Sequence, residues 1–245
     1  MALRAVIFDL GGTLIDWPDW DEDIQRRWAL SYDYLVKHAS TRSWPERGEY
    51  VRCMREAEAE HWQRVNTLHT SNSPAEVLCD GFTKLQCAVG SQELLLALDG
   101  YANAVIGWAF VFPDAVQTLL ALRKRGLRLG LLSNTWWAAA WHDADLATHG
   151  LTSLLDVVVY TSDIPYSKPH AEAFYTVTRR LGVDASECVM VGDRLDADII
   201  GAQGVGMRSI WKKTAYLWPA PAEAMPDAII TDLEELLPLI EQWDA

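Results

Sequence analysis

The sequence predicts an α/β fold: a parallel sheet covered by helices on both faces and interrupted once by a helical insertion. Three observations carry this. Short apolar runs rich in branched residues recur along the chain, each too brief for a helix. Stretches with helical apolar spacing lie between them, and strand–helix alternation is how parallel βαβ units read in sequence. From about Asp19 to Trp108 the alternation stops, and only amphipathic helical pattern remains.

The first run, Arg4 to Leu10, is apolar and passes directly into Gly11-Gly12-Thr13, as a buried parallel strand passes into a loop. The interval after it contains helical pattern at Asp23 to His38 and Arg47 to Asn66. Turn signals at Ser43-Trp44-Pro45, Ser71-Asn72-Ser73-Pro74 and Val89-Gly90-Ser91 divide it into about four helices. Phe112-Pro113-Asp114 returns the chain to alternation. A helix is expected over Ala115 to Lys124, ending at Arg125-Gly126, and another over Ala171 to Leu181, stopped by Gly182. Further strands are expected at Leu127 to Leu132, Leu155 to Tyr160, Cys188 to Val191, Met207 to Trp211 and Ala228 to Ile230. The expected domains are a core of residues 1–16 and 109–245 and a helical domain of residues 17–108, with a crevice between them where a small ligand binds.

Composition narrows the function. The 245 residues carry 21 Lys and Arg against 34 Asp and Glu, a net charge of −13, with no basic block. Phosphate backbones are held mainly by Lys and Arg, so no nucleic-acid partner is expected. No apolar run approaches the roughly 20 residues that span a bilayer, so no membrane partner is expected either. The N-terminal segment lacks a small-residue cleavage pattern and reads as a core strand. The four cysteines show no CxxC pair and no metal spacing, which fits a reducing, cytoplasmic location.

Four signals sit at or just past expected strand ends, where ligands bind in open α/β sheets. Phe8-Asp9-Leu10-Gly11-Gly12-Thr13-Leu14 places a carboxylate before two glycines that let backbone N–H groups approach an anion. Leu132-Ser133-Asn134-Thr135 offers a hydroxyl and an amide, which taken alone would also serve as a helix cap. Ser167-Lys168-Pro169 sets a Lys immediately before an expected helix N1 proline. Gly192-Asp193-Arg194-Leu195-Asp196-Ala197-Asp198 groups carboxylates after a strand; Asp196 reads as solvent-facing.

In this order the four signals resemble the motifs of the haloacid dehalogenase superfamily, whose best-populated branch is the magnesium-dependent phosphatases. The resemblance covers nearly the whole chain. It implies a Rossmann-like, doubly wound parallel sheet core with an inserted α-helical cap domain, acting on a small phosphorylated substrate. It implies that Asp9 is the nucleophile that forms an aspartyl-phosphate. Ser133 would hydrogen-bond the phosphoryl group and Lys168 would neutralise its oxygens. Mg²⁺ would be held by Asp9, the Gly11 carbonyl, Asp193 and Asp198. Leu10, Gly11, Gly12, Thr13, Asn134 and Trp136 are the expected substrate and phosphate contacts. The oligomeric state is not written in these motifs.

One position departs from the pattern. Phosphatases of this family usually carry a second Asp two residues after the nucleophile, as general acid and base; here it is Gly11. A glycine keeps the carbonyl but not the acid, and general acid–base catalysis is worth ~10²–10⁴-fold. Three readings follow: a phosphatase that is slow or suited to good leaving groups, a substitute acid such as Asp16 or a cap residue, or a phosphate-binding regulatory protein. A metal-independent 2-haloacid dehalogenase fits less well, because such enzymes usually have Tyr at this position and tend to lack paired carboxylates like Asp193 and Asp198.

Twelve tryptophans are unusual in this length. Trp17, Trp20, Trp28, Trp62, Trp108, Trp136, Trp137 and Trp141 fall in the insertion, near its junctions or after Ser133, and most are expected to be packing. Trp136 is the one expected to line the crevice. The six histidines show no ligand spacing; His170 stands nearest Lys168.

Overall fold

The branched apolar runs pair into one six-stranded parallel sheet. The computed structural model describes residues 2–18 and 20–244; the side chains of Trp20, Asp21, Glu22, Asp23 and Asp244, with Met1, Asp19 and Ala245, lie outside the described set. The chain runs β1 (Ala5–Phe8), β2 (Ile15–Asp16), α1 (Trp20–His38), α2 (Arg47–Leu68), α3 (Pro74–Lys84), α4 (Ser91–Val105), β3 (Phe110–Val111), α5 (Ala115–Lys124) and β4 (Arg128–Ser133). It continues through α6 (Ala139–Thr148), β5 (Val157–Tyr160), α7 (Ala171–Leu181), β6 (Cys188–Gly192), α8 (Ile200–Gly204), β7 (Arg208–Lys212), β8 (Ala228–Ile230) and α9 (Leu236–Asp244).

The sheet order is β5-β4-β1-β6-β7-β8, every pairing parallel. Counted along the chain this is the doubly wound order 3-2-1-4-5-6. Alternate residues of the central strands feed two cores. Val6, Phe8, Leu129, Leu131, Val189 and Val191 belong to one, with Leu119 and Leu122 of α5. Ala5, Ile7, Leu132, Cys188 and Met190 belong to the other, with Phe174, Val177 and Leu181 of α7.

All six expected strands are present within a residue or two of their expected ends, and α5 and α7 have the expected bounds. Four helices, α1 to α4, fill the interval where no strand was expected. Two features differ from expectation. The junctions of the insertion form a two-stranded antiparallel ribbon, with Ile15 opposite Val111 and Asp16 opposite Phe110. Pro169 is not the N1 residue of α7: the helix begins at Ala171, and His170 caps it by accepting the Glu172 backbone N–H at Nδ1, 3.2 Å away. Among the described residues no helix is long and apolar enough to cross a membrane.

Candidate active site

Three neighbouring strands end at the expected residues. Asp9 follows β1, Ser133 closes β4 beside it, and Asp193 follows β6 on the other side. The sheet therefore changes winding direction where these side chains meet. Asp9, Ser133, Lys168, Asp193 and Asp198 are all buried.

Lys168 joins them. Its Nζ donates to Asp9 Oδ1 at 2.5 Å and to the Leu132 carbonyl at 2.7 Å, and lies 2.7 Å from Asp198 Oδ1. Asp9, Asp193 and Asp198 each offer a carboxylate oxygen, all within 4.8 Å of one another. Burial pushes the Asp9 carboxyl up to about 6 against the pull of Lys168, with Asp198 adding to the rise. Burial, then the charges of Asp9 and Asp198, push Asp193 up to about 8. Burial disfavours the Lys168 charge as well, but Asp198 and Asp9 outweigh it and hold the ammonium above its ordinary value.

One ammonium thus faces three carboxylates in a region that water barely reaches. A hard divalent cation with oxygen preference is the group that such a donor set fits, because it would relieve the repulsion that raises Asp9 and Asp193. Two glycines make the approach feasible. A Cβ on Gly12, whose φ is +73°, would fall 2.7 Å from Asp193 Oδ2, and one on Gly192 would fall 2.3 Å from Asp198 Cγ. A short π-turn over Leu195–Ile199 brings Asp198 back to the strand end, where its Oδ2 accepts the Arg194 N–H at 3.0 Å.

The loop after Asp9 departs from expectation in part. The Leu10 backbone hydrogen-bonds the Asp9 carboxylate, as an anion-facing loop requires. The Gly12 N–H, expected to face phosphate, donates instead to the Ile15 carbonyl at 2.9 Å, and the Thr13 N–H donates to Leu10 at 3.3 Å. The Thr13 hydroxyl is fully buried, with no hydrogen-bond partner among the described residues. Gly11 faces an indole: a Cβ there would lie 3.3 Å from Trp17 Cζ3.

Asn134 and Trp136 take other roles than those expected. The Asn134 amide is spent on the Lys168 backbone, accepting its N–H at 2.8 Å and donating to its carbonyl at 2.9 Å. It positions the lysine. Trp136 is wholly buried, stacked 5.7 Å from Trp28 of α1, and its indole donates to Glu58 of α2 at 3.1 Å. It joins the helical insertion to the core and lines no crevice in this conformation. Asp196, expected to face solvent, instead holds the Arg194 guanidinium at 2.6 Å. Asp16, a possible substitute acid, accepts the Trp17 N–H at 2.9 Å and the Tyr216 hydroxyl at 3.2 Å, and burial raises its pKa.

Two further contacts come from β7 and the segment after it, which carry none of the four motifs. Trp218 Nε1 donates to Asp193 Oδ2 at 2.7 Å, and Lys212 Nζ donates to the Gly12 carbonyl at 3.1 Å. The signal for the first was the pair of aromatics, Tyr216 and Trp218, in a proline-rich stretch just beyond a strand end.

The haloacid dehalogenase-like hydrolase family model matches residues 3–206. A glyceraldehyde 3-phosphate phosphatase of Methanopyrus kandleri is 27% identical over 98% of each chain. A ribulose-1,5-bisphosphate 5-phosphatase of Halopiger xanaduensis is 30% identical over 84% of this chain and 83% of its own. Among solved structures, a HAD phosphatase from Thermococcus onnurineus matches with TM-score 0.63 and 27% identity over 97% of this chain and 98% of its own. A 2-haloacid dehalogenase from Pseudomonas syringae pv. Tomato DC3000 matches with TM-score 0.69 and 27% identity over 98% and 99%.

Proposed function

The chain belongs to the haloacid dehalogenase-like hydrolase family, and we propose that it is a Mg²⁺-dependent phosphohydrolase of a small phosphorylated metabolite, with Asp9 as nucleophile. Phosphatase-named relatives over most of the chain support the hydrolytic class. The observation that carries the finer reading is the Lys168 ammonium shared between Asp9 and Asp198, with Asp193 completing the carboxylate cluster. A dianionic phosphate approaches a carboxylate only where positive charge offsets the repulsion. Lys168 provides one such charge. Mg²⁺, held by Asp9, Asp193, Asp198 and the Gly11 carbonyl, would supply the rest and polarise the phosphoryl group.

In this reading Asp9 Oδ attacks phosphorus, the P–O bond to the leaving group breaks, and an aspartyl-phosphate is left for water to hydrolyse. Ser133 hydrogen-bonds the transferring group, with the Thr13 hydroxyl as a second donor. Residues 17–108 act as the cap over a core formed by 1–16 and 109–245, which excludes water on closure. With Gly11 in place of an acid, the leaving group departs without a proton from that position, so turnover follows leaving-group acidity.

The test is phosphate release from a panel of phosphorylated metabolites and p-nitrophenyl phosphate, with Mg²⁺ and with EDTA, for the wild type and Asp9→Asn. Turnover that needs Mg²⁺ and is lost in Asp9→Asn supports the proposal. Equal rates for the two proteins would make this a binding protein, and halide release from a 2-haloacid in EDTA would make it a dehalogenase.

A further inference from the structure

Asp193 is gripped by two indoles from the segment that follows it in the sheet. Trp211 Nε1, at the end of β7, donates to the Asp193 main-chain carbonyl at 3.0 Å. Trp218 Nε1 donates to the side-chain Oδ2 at 2.7 Å, and the Thr214 hydroxyl lies 3.4 Å from the same oxygen. One bond fixes the backbone and the others fix the rotation of the carboxylate.

Burial does not explain Trp218. Its side chain is 42% exposed, and its neighbour Leu217 is fully exposed, so this loop contributes little to the core. The indole is nonetheless held in place. The Arg194 guanidinium lies over its ring at 4.8 Å, and the Tyr216 ring is 5.7 Å away with its hydroxyl on Asp16. Arg194 is itself pinned by Asp196 and reaches Asn66 of α2 at 3.2 Å. An exposed aromatic so constrained delivers its single polar atom to a buried carboxylate that the proposed function makes a metal ligand.

We propose that Trp218 is a positioning residue of the divalent-ion site: its N–H occupies Asp193 Oδ2 and orients the carboxylate so that the other oxygen is presented to the ion. This rests on the metal-dependent reading above. Hydrogen bonds from outer partners fix the orientation of ligating groups, and losing one typically costs 10–100-fold in metal affinity.

Mg²⁺ binding to the full-length protein is measured by titration calorimetry without substrate, for the wild type, W218F and W218H, with melting in EDTA to verify folding. W218F keeps an aromatic ring on Arg194 and removes the donor; its Kd for Mg²⁺ should rise ~10-fold or more. W218H retains a ring N–H and should lie nearer the wild type. T214V, which removes the weaker donor at a half-buried position, should raise Kd by a smaller factor. An unchanged Kd in W218F, or equal weakening in W218F and W218H, overturns the inference while leaving the metal site standing. A wild type that binds no Mg²⁺ overturns both.

Discussion

Restoring a carboxylate at position 11 should fail alone and succeed only when Trp17 is reduced with it. A general acid is worth ~10²–10⁴-fold, or about 3–5 kcal/mol of barrier, to a leaving group that needs a proton. In G11D, however, the new Cβ meets Trp17 Cζ3 at 3.3 Å, inside ordinary carbon contact. Trp17 has little room to retreat: it is 7% exposed, edge-on to Trp137 at 5.4 Å and to His142 at 6.0 Å. Overpacking of this kind costs about 1–3 kcal/mol and displaces the side chain that has to act. G11D should therefore lose stability and gain little on alkyl phosphates. G11D/W17F, which withdraws the larger ring, should gain ~10²-fold or more on alkyl phosphates and almost nothing on p-nitrophenyl phosphate, whose leaving group departs unprotonated. The assay is kcat/KM across phosphate monoesters of graded leaving-group pKa, with W17F alone as the control for the bond Trp17 gives Asp145. A full gain in G11D alone would show that the indole is no obstacle. A wild-type profile independent of leaving-group pKa would show that a proton donor already acts, and the reasoning would fail.

Two stability effects follow from buried polar groups outside the reaction. Glu58 accepts the Trp28 indole at 2.8 Å and the Trp136 indole at 3.1 Å, so E58A leaves two buried N–H groups without that acceptor, at about 1–3 kcal/mol each, whereas E58Q keeps one acceptor; the ordering of urea midpoints, E58A below E58Q below wild type, checks this, and equal midpoints refute it. Burial lowers His61 from 6.5 to about 4 and His142 to about 3. Folded-state pKa values below the unfolded value mean that the unfolded chain takes up protons first, so stability is intact above pH 6.5 and lost as pH falls toward 4, by about 1.4 kcal/mol per pH unit for each histidine. Asp9 and Asp193, raised to about 6 and about 8, shift stability the opposite way over the same range, so the histidine effect is read from the difference between proteins: between about pH 7.5 and about pH 5, H142Q should lose less stability, or gain more, than the wild type, and an equal change in the two would contradict it.

Most of the sheet was legible because its strands are buried on both faces, and runs such as Ala5–Phe8 and Cys188–Gly192 have few other uses in an alternating chain. Three polar residues of the candidate site were legible for the same reason: Asp9, Ser133 and Asp193 sit at the ends of neighbouring strands, so locating the strands locates them. What was hidden depends on partners distant in sequence. The β2–β3 ribbon has two residues per strand, paired across the whole insertion, and no local pattern marks it. Asn134 carries the right chemistry for phosphate, but its amide is claimed by Lys168, thirty-four positions away. Proximity to Ser133 in the sequence points Trp136 toward a crevice. Its actual environment is set by Glu58 and Trp28, on helices whose packing a single sequence does not reveal.

The same long-range contacts explain how one lysine stays poised among three buried carboxylates. The Lys168 ammonium is fixed by Asp9, Asp198 and the Leu132 carbonyl, and its backbone is clamped on both sides by Asn134. The residue before it, Ser167, donates to the His69 carbonyl at 2.9 Å, and Ser71 donates to Pro165 at 3.2 Å. The turn between α2 and α3 therefore rests directly on the strand-like stretch that leads into Lys168. Movement of this turn would pull on the stretch, and the Asn134 clamp is what would keep that pull from reaching the ammonium. Catalytic charges act most strongly when they need no reorganisation at the moment of reaction. Under the proposed function, spending the Asn134 amide on main chain meets that requirement by fixing the Lys168 charge before substrate arrives.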